Sequence, residues 1–152
     1  MKSRQFLVSL LIVVTALLCL SVWAQVNRPF RNGTVWDIAF VKVKPGMEVA
    51  YLNYLASDWK KEQEVLKKEG LIISYKVLAT EAHSPGDWNL MLMTEYKDLA
   101  TLEANKDKMD ALAQKVIGDD EMQMQRFRQR GDLREVVGGR LAREIILEPK
   151  SR

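Results

Sequence analysis

The sequence predicts one domain of the α+β class, and three observations support that prediction. Segments with the two-residue apolar repeat of strands and segments with the longer repeat of helices follow one another along residues 34–148. They come in the order β-α-β-β-α-β, with an extra short helix before the last strand. The length of 152 residues suits a single domain once an N-terminal segment is set aside.

The first 24 residues have the pattern of a secretory signal peptide. Lys2 and Arg4 form a basic start, residues 6–22 are an apolar run, and the segment ends on Val22-Trp23-Ala24, with small residues where a signal peptidase cleaves. We therefore expect cleavage after Ala24 and an exported product, periplasmic or secreted, with no stable membrane insertion. A retained anchor is the alternative, since the run approaches the roughly 18 residues that can span a bilayer.

Composition excludes several classes of function. Cleavage would remove two of the 23 basic residues, so that basic residues nearly balance the 20 acidic ones and give no electrostatic reason to expect nucleic acid. It would also remove Cys19, the only cysteine, and it leaves His83 as the only histidine. Thiol catalysis, disulfides and Cys/His metal sites are therefore not expected, and neither a metal nor a cofactor is predicted.

The first half of the domain is predicted from apolar periodicity. Residues 25–33 are interpreted as a leader or linker, and residues 35–44 as a strand with two apolar faces that Pro45-Gly46 ends. A long helix follows over 47–69, with Gly70 at its end. Its predicted buried stripe is Leu52, Leu55, Trp59 and Leu66, whereas the charged residues between 60 and 68 are predicted to face solvent.

The second half repeats this alternation. Residues 71–80 and 87–96 are predicted strands of a hairpin, with a loop over 81–86. Asp98 is suited to cap the next helix, and Asp119 to begin the extra short helix. The buried stripe of the second helix is predicted to be Leu99, Leu102, Met109, Leu112 and Val116. The last strand is predicted over residues 141–147, before a tail at 149–152.

This order of elements is the ferredoxin-like layout, in which two helices cover one face of a four-stranded sheet. The other face would also carry Trp, Ile, Phe and Leu side chains. Because monomers rarely expose an apolar face of that size, a homodimer with two-fold symmetry is expected.

Two stretches carry a resemblance to a known superfamily. Val41-Lys42-Val43-Lys44-Pro45-Gly46 precedes the first helix, and Leu92-Met93-Thr94-Glu95-Tyr96 is followed by Leu99 and Leu102-Glu103-Ala104. With them, residues 34–148 resemble the dimeric α+β barrel superfamily, which includes antibiotic-biosynthesis-monooxygenase-like and NIPSNAP-like proteins. The resemblance implies a dimeric barrel, in a superfamily that includes oxygenases, isomerase-like enzymes and haem degraders.

Haem degradation is not expected from this resemblance. Haem-degrading relatives use a tryptophan near the end of the third strand and a histidine on the second helix, and the matching places here hold Tyr96 and Asn105. The resemblance and the signal pattern together predict an exported member of this superfamily.

Candidate site residues are aromatic or titratable side chains on the predicted strands and loops. The predicted ligand-binding residues are Trp36, Tyr75, Trp88, Tyr96 and Asn105, because aromatic walls with few polar groups suit small organic molecules. The candidate catalytic bases are Asp37, Tyr75, His83 and Tyr96. Core or dimer packing is the alternative for the aromatic residues, an exposed loop for His83, and the solvent-exposed end of a strand for Asp37.

An arginine series near the C-terminus admits two interpretations. Its members are Arg126, Arg128, Arg130, Arg134, Arg140 and Arg143. They could hold an anionic ligand, or they could be solvent-exposed and pair with neighbouring carboxylates.

Three functions stay open at this point. The first is binding of a small, mostly apolar ligand by a homodimeric barrel. The second is a cofactor-independent monooxygenase-like enzyme. The third is a structural dimer of the cell envelope without a ligand.

Overall fold

The structure, a computed structural model, describes residues 29–84 and 86–148, and it confirms the predicted α+β class. The predicted signal peptide, 1–24, and the tail, 149–152, lie outside the described residues. In chain order the elements are β1 (Phe30–Val43), α1 (Glu48–Tyr54), a π-helical segment (Leu55–Trp59), α2 (Lys60–Lys68), β2 (Ser74–Ala79), β3 (Leu90–Tyr96), α3 (Leu99–Ala104), α4 (Lys106–Ile117), α5 (Asp120–Leu133) and β4 (Arg134–Leu147).

The strands form one four-stranded sheet in the order β2-β3-β1-β4. Strand β3 pairs antiparallel with both β1 and β2. Its Thr94 lies opposite Asp37 on one side and opposite Tyr75 on the other. This antiparallel sheet with its helices is compatible with a ferredoxin-like α+β fold.

Several boundaries differ from those predicted. Strand β1 begins at Phe30, inside the segment interpreted as a linker, and β4 begins at Arg134 rather than at residue 141. Strand β4 runs through Gly138 and Gly139, which do not take a positive φ and so do not break the strand. The extra helix α5 has 14 residues and is longer than predicted. By contrast, Gly46 and Gly70 adopt φ of 79° and 69°, which confirms the predicted stops.

The first long helix contains a widened turn that the sequence analysis did not predict. The side chains that face the sheet follow a spacing of four residues, at Tyr51, Leu55, Trp59 and Gln63, and then reach Leu66. In a regular α-helix Leu66 would lie roughly 60° around the axis from Tyr51. The π-helical segment accommodates this offset, and the Ser57 hydroxyl donates a hydrogen bond to the Asn53 carbonyl within it, at 2.8 Å. Tyr51 is therefore fully buried, while Leu52, predicted to be buried, is 48% exposed.

The core consists of two clusters on the side of the sheet that the helices cover. The first cluster contains Val41, Val43, Tyr51, Leu55 and Leu90. The second contains Leu66, Leu71, Ile72 and Tyr96. From the predicted stripe of the second helix, Leu102, Met109 and Leu112 pack against the second cluster. That helix is interrupted at Asn105, between α3 and α4.

The opposite face of the sheet is apolar and carries aromatic contacts. Phe40 packs against Trp88 with ring centroids 4.9 Å apart, and Lys76 lies over the Trp36 ring at 4.8 Å. Leu78 is 45% exposed on this face. We refer below to this surface, formed by Trp36, Ile38, Phe40, Leu78, Met91 and Met93, as the open face.

The described residues divide into two units. The main unit is Asn32–Ile146, which contains the core and the cleft described below. In the other unit, residues 29–31 and 147–148 are described, and there Arg31 pairs with Glu148 at 2.8 Å. Across both described ranges, no helix combines the length and apolar character needed to cross a membrane.

Candidate functional site

A cleft of about 360 Å³ opens between the sheet and the helices of the main unit. Strands β1 and β3 supply one side of it, the π-helical segment and α2 a second, and α4 a third. The residues that line it are Asp37, Ala39, Trp59, Glu62, Gln63, Leu66, Leu92, Thr94, Tyr96, Lys106, Met109, Asp110 and Ala113. Three converging elements make it a better candidate site than the larger groove along α5, about 420 Å³, which α5 and the end of α4 line alone.

The cleft exists because small or polar side chains interrupt an apolar row. Toward the helices, β1 presents buried valines at positions 35, 41 and 43, but Asp37 and Ala39 between them. On β3, Thr94 stands between Leu92 and Tyr96 and lies opposite Asp37. The helices therefore have less to pack against at the middle of the sheet, and the space stays open.

Asp37 is exposed to solvent, but it lies in the middle of a central strand and not at a strand end. The carboxylate is accessible through the open cleft. The surrounding protein nevertheless removes part of its hydration, which raises the pKa of Asp37 against the opposing effect of a hydrogen bond from the Ile38 backbone. A carboxyl group with a raised pKa in a cleft is suited to exchange protons or to bind a polar group.

Tyr96 lies close enough to both Asp37 and Glu62 to feel their charges. Tyr96 is only 8% exposed, and burial raises its pKa, assisted by the negative charges of Asp37 and Glu62. Burial also raises the pKa of Glu62, while the charge of Arg130 opposes the shift. Among the residues that the structure describes, the Tyr96 hydroxyl has no hydrogen-bond partner.

Gln63 is a second buried polar side chain at the cleft. It is 6% exposed, and its Oε1 accepts a hydrogen bond from the Thr94 hydroxyl at 3.1 Å. Its amide nitrogen has no protein partner within the described ranges and is not fully enclosed, so it remains accessible to water or a ligand. Gln63 and Tyr96 thus each leave hydrogen-bonding capacity in the cleft.

Tyr75 lies beside the cleft and does not line it. Its ring contacts Trp59 edge to face, with centroids 5.3 Å apart. Its hydroxyl donates to Glu64 Oε1 at 2.5 Å, and this hydrogen bond raises the pKa of Tyr75. Tyr75 therefore packs against the Trp59 ring without lining the cleft itself.

The other predicted site residues lie elsewhere. Trp36 and Trp88 are associated with the open face, through the contacts to Lys76 and Phe40. Asn105 donates from Nδ2 to the Thr101 carbonyl at 2.7 Å, at the junction of α3 and α4. His83 is exposed in its loop, where its backbone N–H donates to Asp87 Oδ2 at 2.9 Å.

The arginine series divides between α5 and β4, and none of its members lines the cleft. Arg126 pairs with Asp58 at 2.9 Å. Arg130 lies over the rings of Tyr54 and Phe127, 5.5 and 5.7 Å from their centroids. Arg140 and Arg143 are exposed on β4. Arg126 and Arg130 therefore help to pack α5 against the first long helix.

Most of the lining residues were not predicted from the sequence as site residues, and Trp59, Glu62 and Gln63 are the clearest cases. Trp59 was assigned to the core and Glu62 to a solvated helix face, whereas both line the cleft. Gln63 could have been predicted from its position, four residues after Trp59 on the stripe that faces the sheet. A side-chain amide on a buried stripe needs hydrogen-bond partners, so its presence there predicts polar groups nearby.

The arrangement can bind an apolar body, form hydrogen bonds and exchange a proton. Along the described part of the chain, no group of three histidine, cysteine, aspartate or glutamate residues is placed to hold a metal ion. No family model matches the chain, and comparisons with curated proteins and with solved structures give no significant match. The resemblance to the dimeric α+β barrel superfamily therefore stays a prediction.

Proposed function

We propose that this chain binds a small, mostly apolar molecule with a polar group, in the cleft between the sheet and the helices. One observation carries the proposal: Tyr96 and Gln63 are more than nine-tenths buried, and both leave unpaired polar groups at an open cleft. Neither the Tyr96 hydroxyl nor the Gln63 amide nitrogen is fully enclosed, so both are open to water and to a ligand group that can replace it. The walls formed by Trp59, Leu66 and Met109 supply the apolar contact that a small organic ligand needs.

A thermal-shift panel of aromatic and aliphatic compounds, applied to the chain without residues 1–24, tests this proposal. We expect binding compounds to raise the melting temperature by linkage. Ala113→Trp should abolish the shift because Ala113 lines the cleft. Ala111→Trp is the matched control, since Ala111 is exposed on the same helix and does not line the cleft. A panel without shifts, or shifts that both variants retain, would contradict binding in the cleft.

A second candidate is the cofactor-independent monooxygenase-like enzyme, and the environment of Asp37 favours it. A carboxylate with a raised pKa is a stronger base than an ordinary aspartate. Asp37 would take a proton from an electron-rich bound substrate, which would then react with oxygen. Oxygen uptake with a quinol substrate should then disappear in Asp37→Asn and persist in Asp107→Asn, an exposed residue of α4. Equal rates in both variants would reject Asp37 as the base.

The proposal includes a homodimer that forms through the open face. Its support is the apolar surface of Trp36, Ile38 and Phe40, which lies on the side of the sheet opposite the described helices. A dimeric barrel would enclose Trp36 and Trp88, which lie outside the cleft. Ile38→Glu should shift sedimentation from a dimer to a monomer, whereas a monomeric parent chain would contradict the pairing. A dimer that binds no compound would instead favour the structural envelope role.

A further inference from the structure

We infer that the ligand of the cleft is an organic cation, an amine carried on a small apolar body. The inference rests on the proposed function, because it names the chemistry of the ligand that the cleft would accept. It concerns the balance of charge around Asp37, the unpaired hydroxyl of Tyr96 and the aromatic wall.

The lining of the cleft carries more negative than positive charge. Its acidic members are Asp37, Glu62 and Asp110, and its only basic member is Lys106. Lys106 is already paired, since its Nζ lies 2.7 Å from Glu103 and the side chain is 56% exposed. An anionic ligand would therefore meet unfavourable electrostatics at the cleft.

Asp37 and Asp110 both lack an ion pair among the described residues, whereas the charge of Arg130 acts on Glu62. Of these two carboxylates, Asp37 is the one whose charge acts on Tyr96. A neutral ligand would displace the water that still solvates Asp37 and leave the charge unpaired, which is costly. A cationic ligand would pair with the carboxylate in a setting where displaced water strengthens the attraction.

Tyr96 and Trp59 supply the remaining contacts for such a ligand. The Tyr96 hydroxyl is free to accept an ammonium N–H, and its interactions with Asp37 and Glu62 place it near both carboxylates. The Trp59 indole lines the same cleft, and aromatic faces attract cations. The apolar body would lie against Leu66, Leu92 and Met109.

A matched series of three compounds tests the inference by calorimetric titration at neutral pH: 2-phenylethylamine, 2-phenylethanol and 3-phenylpropanoate. We expect the amine to bind at least about tenfold more tightly than the alcohol, and the carboxylate to bind most weakly. Asp37→Asn should remove the preference for the amine and leave the affinity for the alcohol nearly unchanged. Asp107→Asn, on the exposed side of α4, should retain the preference.

The outcomes separate this inference from the proposed function. If the alcohol or the carboxylate binds as tightly as the amine, and Ala113→Trp abolishes that binding, the cleft binds ligands but the inference of a cationic ligand is wrong. An amine preference that survives in Asp37→Asn also overturns the inference. If the amine does not bind at all, the inference fails, and the wider thermal-shift panel decides separately whether the cleft binds anything.

Discussion

The helix-covered side of the sheet contains two packed clusters and, between them, one open cleft. The first cluster sets Val41 and Val43 against Tyr51, and the second is closed by Tyr96 and its neighbours. The same strand, β1, contributes to the packed first cluster and to the cleft. The difference lies in its side chains, because Asp37 and Ala39 stand where further valines would have filled the space. Close packing is thus absent at one place in a core that is otherwise well packed, and such local departures are typical of functional sites.

The largest loss of stability should come from removing a large side chain from one of the two core clusters. Tyr51→Ala removes a fully buried aromatic ring and is expected to reduce the free energy of unfolding by about 3–5 kcal/mol, because the space cannot collapse completely. Trp59→Ala removes a half-buried side chain from the wall of the cleft and should reduce the free energy of unfolding by less than half as much. Urea unfolding of both variants measures the contrast. Equal losses would show that the cleft wall is as tightly packed as the cluster.

An intermediate effect should come from filling the cleft. Asp37→Val extends the valine row of β1 and should raise the free energy of unfolding by about 1 kcal/mol at neutral pH, while it abolishes ligand binding. A variant that is less stable than the parent chain would indicate that Asp37 has a stabilising partner.

The pH dependence of the stability of Asp37→Asn tests whether ionised Asp37 destabilises the folded chain. Because the folded chain raises the pKa of Asp37, folding favours the protonated form, and ionisation destabilises the folded state. The advantage of Asp37→Asn should therefore be absent below the unfolded value of 3.8, appear as pH rises through the folded pKa, and persist above it. Thermal melts across this range measure it. An advantage that grows toward low pH would have the wrong sign.

The smallest effect distinguishes two tyrosine hydroxyls. The Tyr51 hydroxyl is buried beside the Arg134 guanidinium without a hydrogen bond of good geometry in the described part of the chain, so Tyr51→Phe should change the free energy of unfolding by no more than about 0.5 kcal/mol. Tyr96→Phe should also leave stability nearly unchanged, but it should weaken ligand binding, because Tyr96 lines the cleft. Melting and titration of both variants test this. Weakened binding in Tyr51→Phe would place the ligand elsewhere.

The sequence was sufficient to predict the α+β class, because apolar alternation and the turn at Gly46 are local signals. Two of the candidate residues that it indicated, Asp37 and Tyr96, line the cleft, and a polar group among apolar strand neighbours is a local signal. The pairing of Asp37 with Thr94 could not be predicted, because strand register depends on contacts distant in sequence. Trp59 and Glu62 were missed because a regular helical repeat does not describe a helix that contains a widened turn.

That widened turn also has a consequence for the register of the helix. If Ser57 were deleted, a regular α-helix would still align Tyr51, Leu55, Trp59, Gln63 and Leu66 on one side. The additional residue is therefore dispensable for the hydrophobic stripe, and what it changes is the position of the residues after it relative to those before it. Deletion of Ser57 offers a direct way to ask whether ligand recognition depends on one added residue.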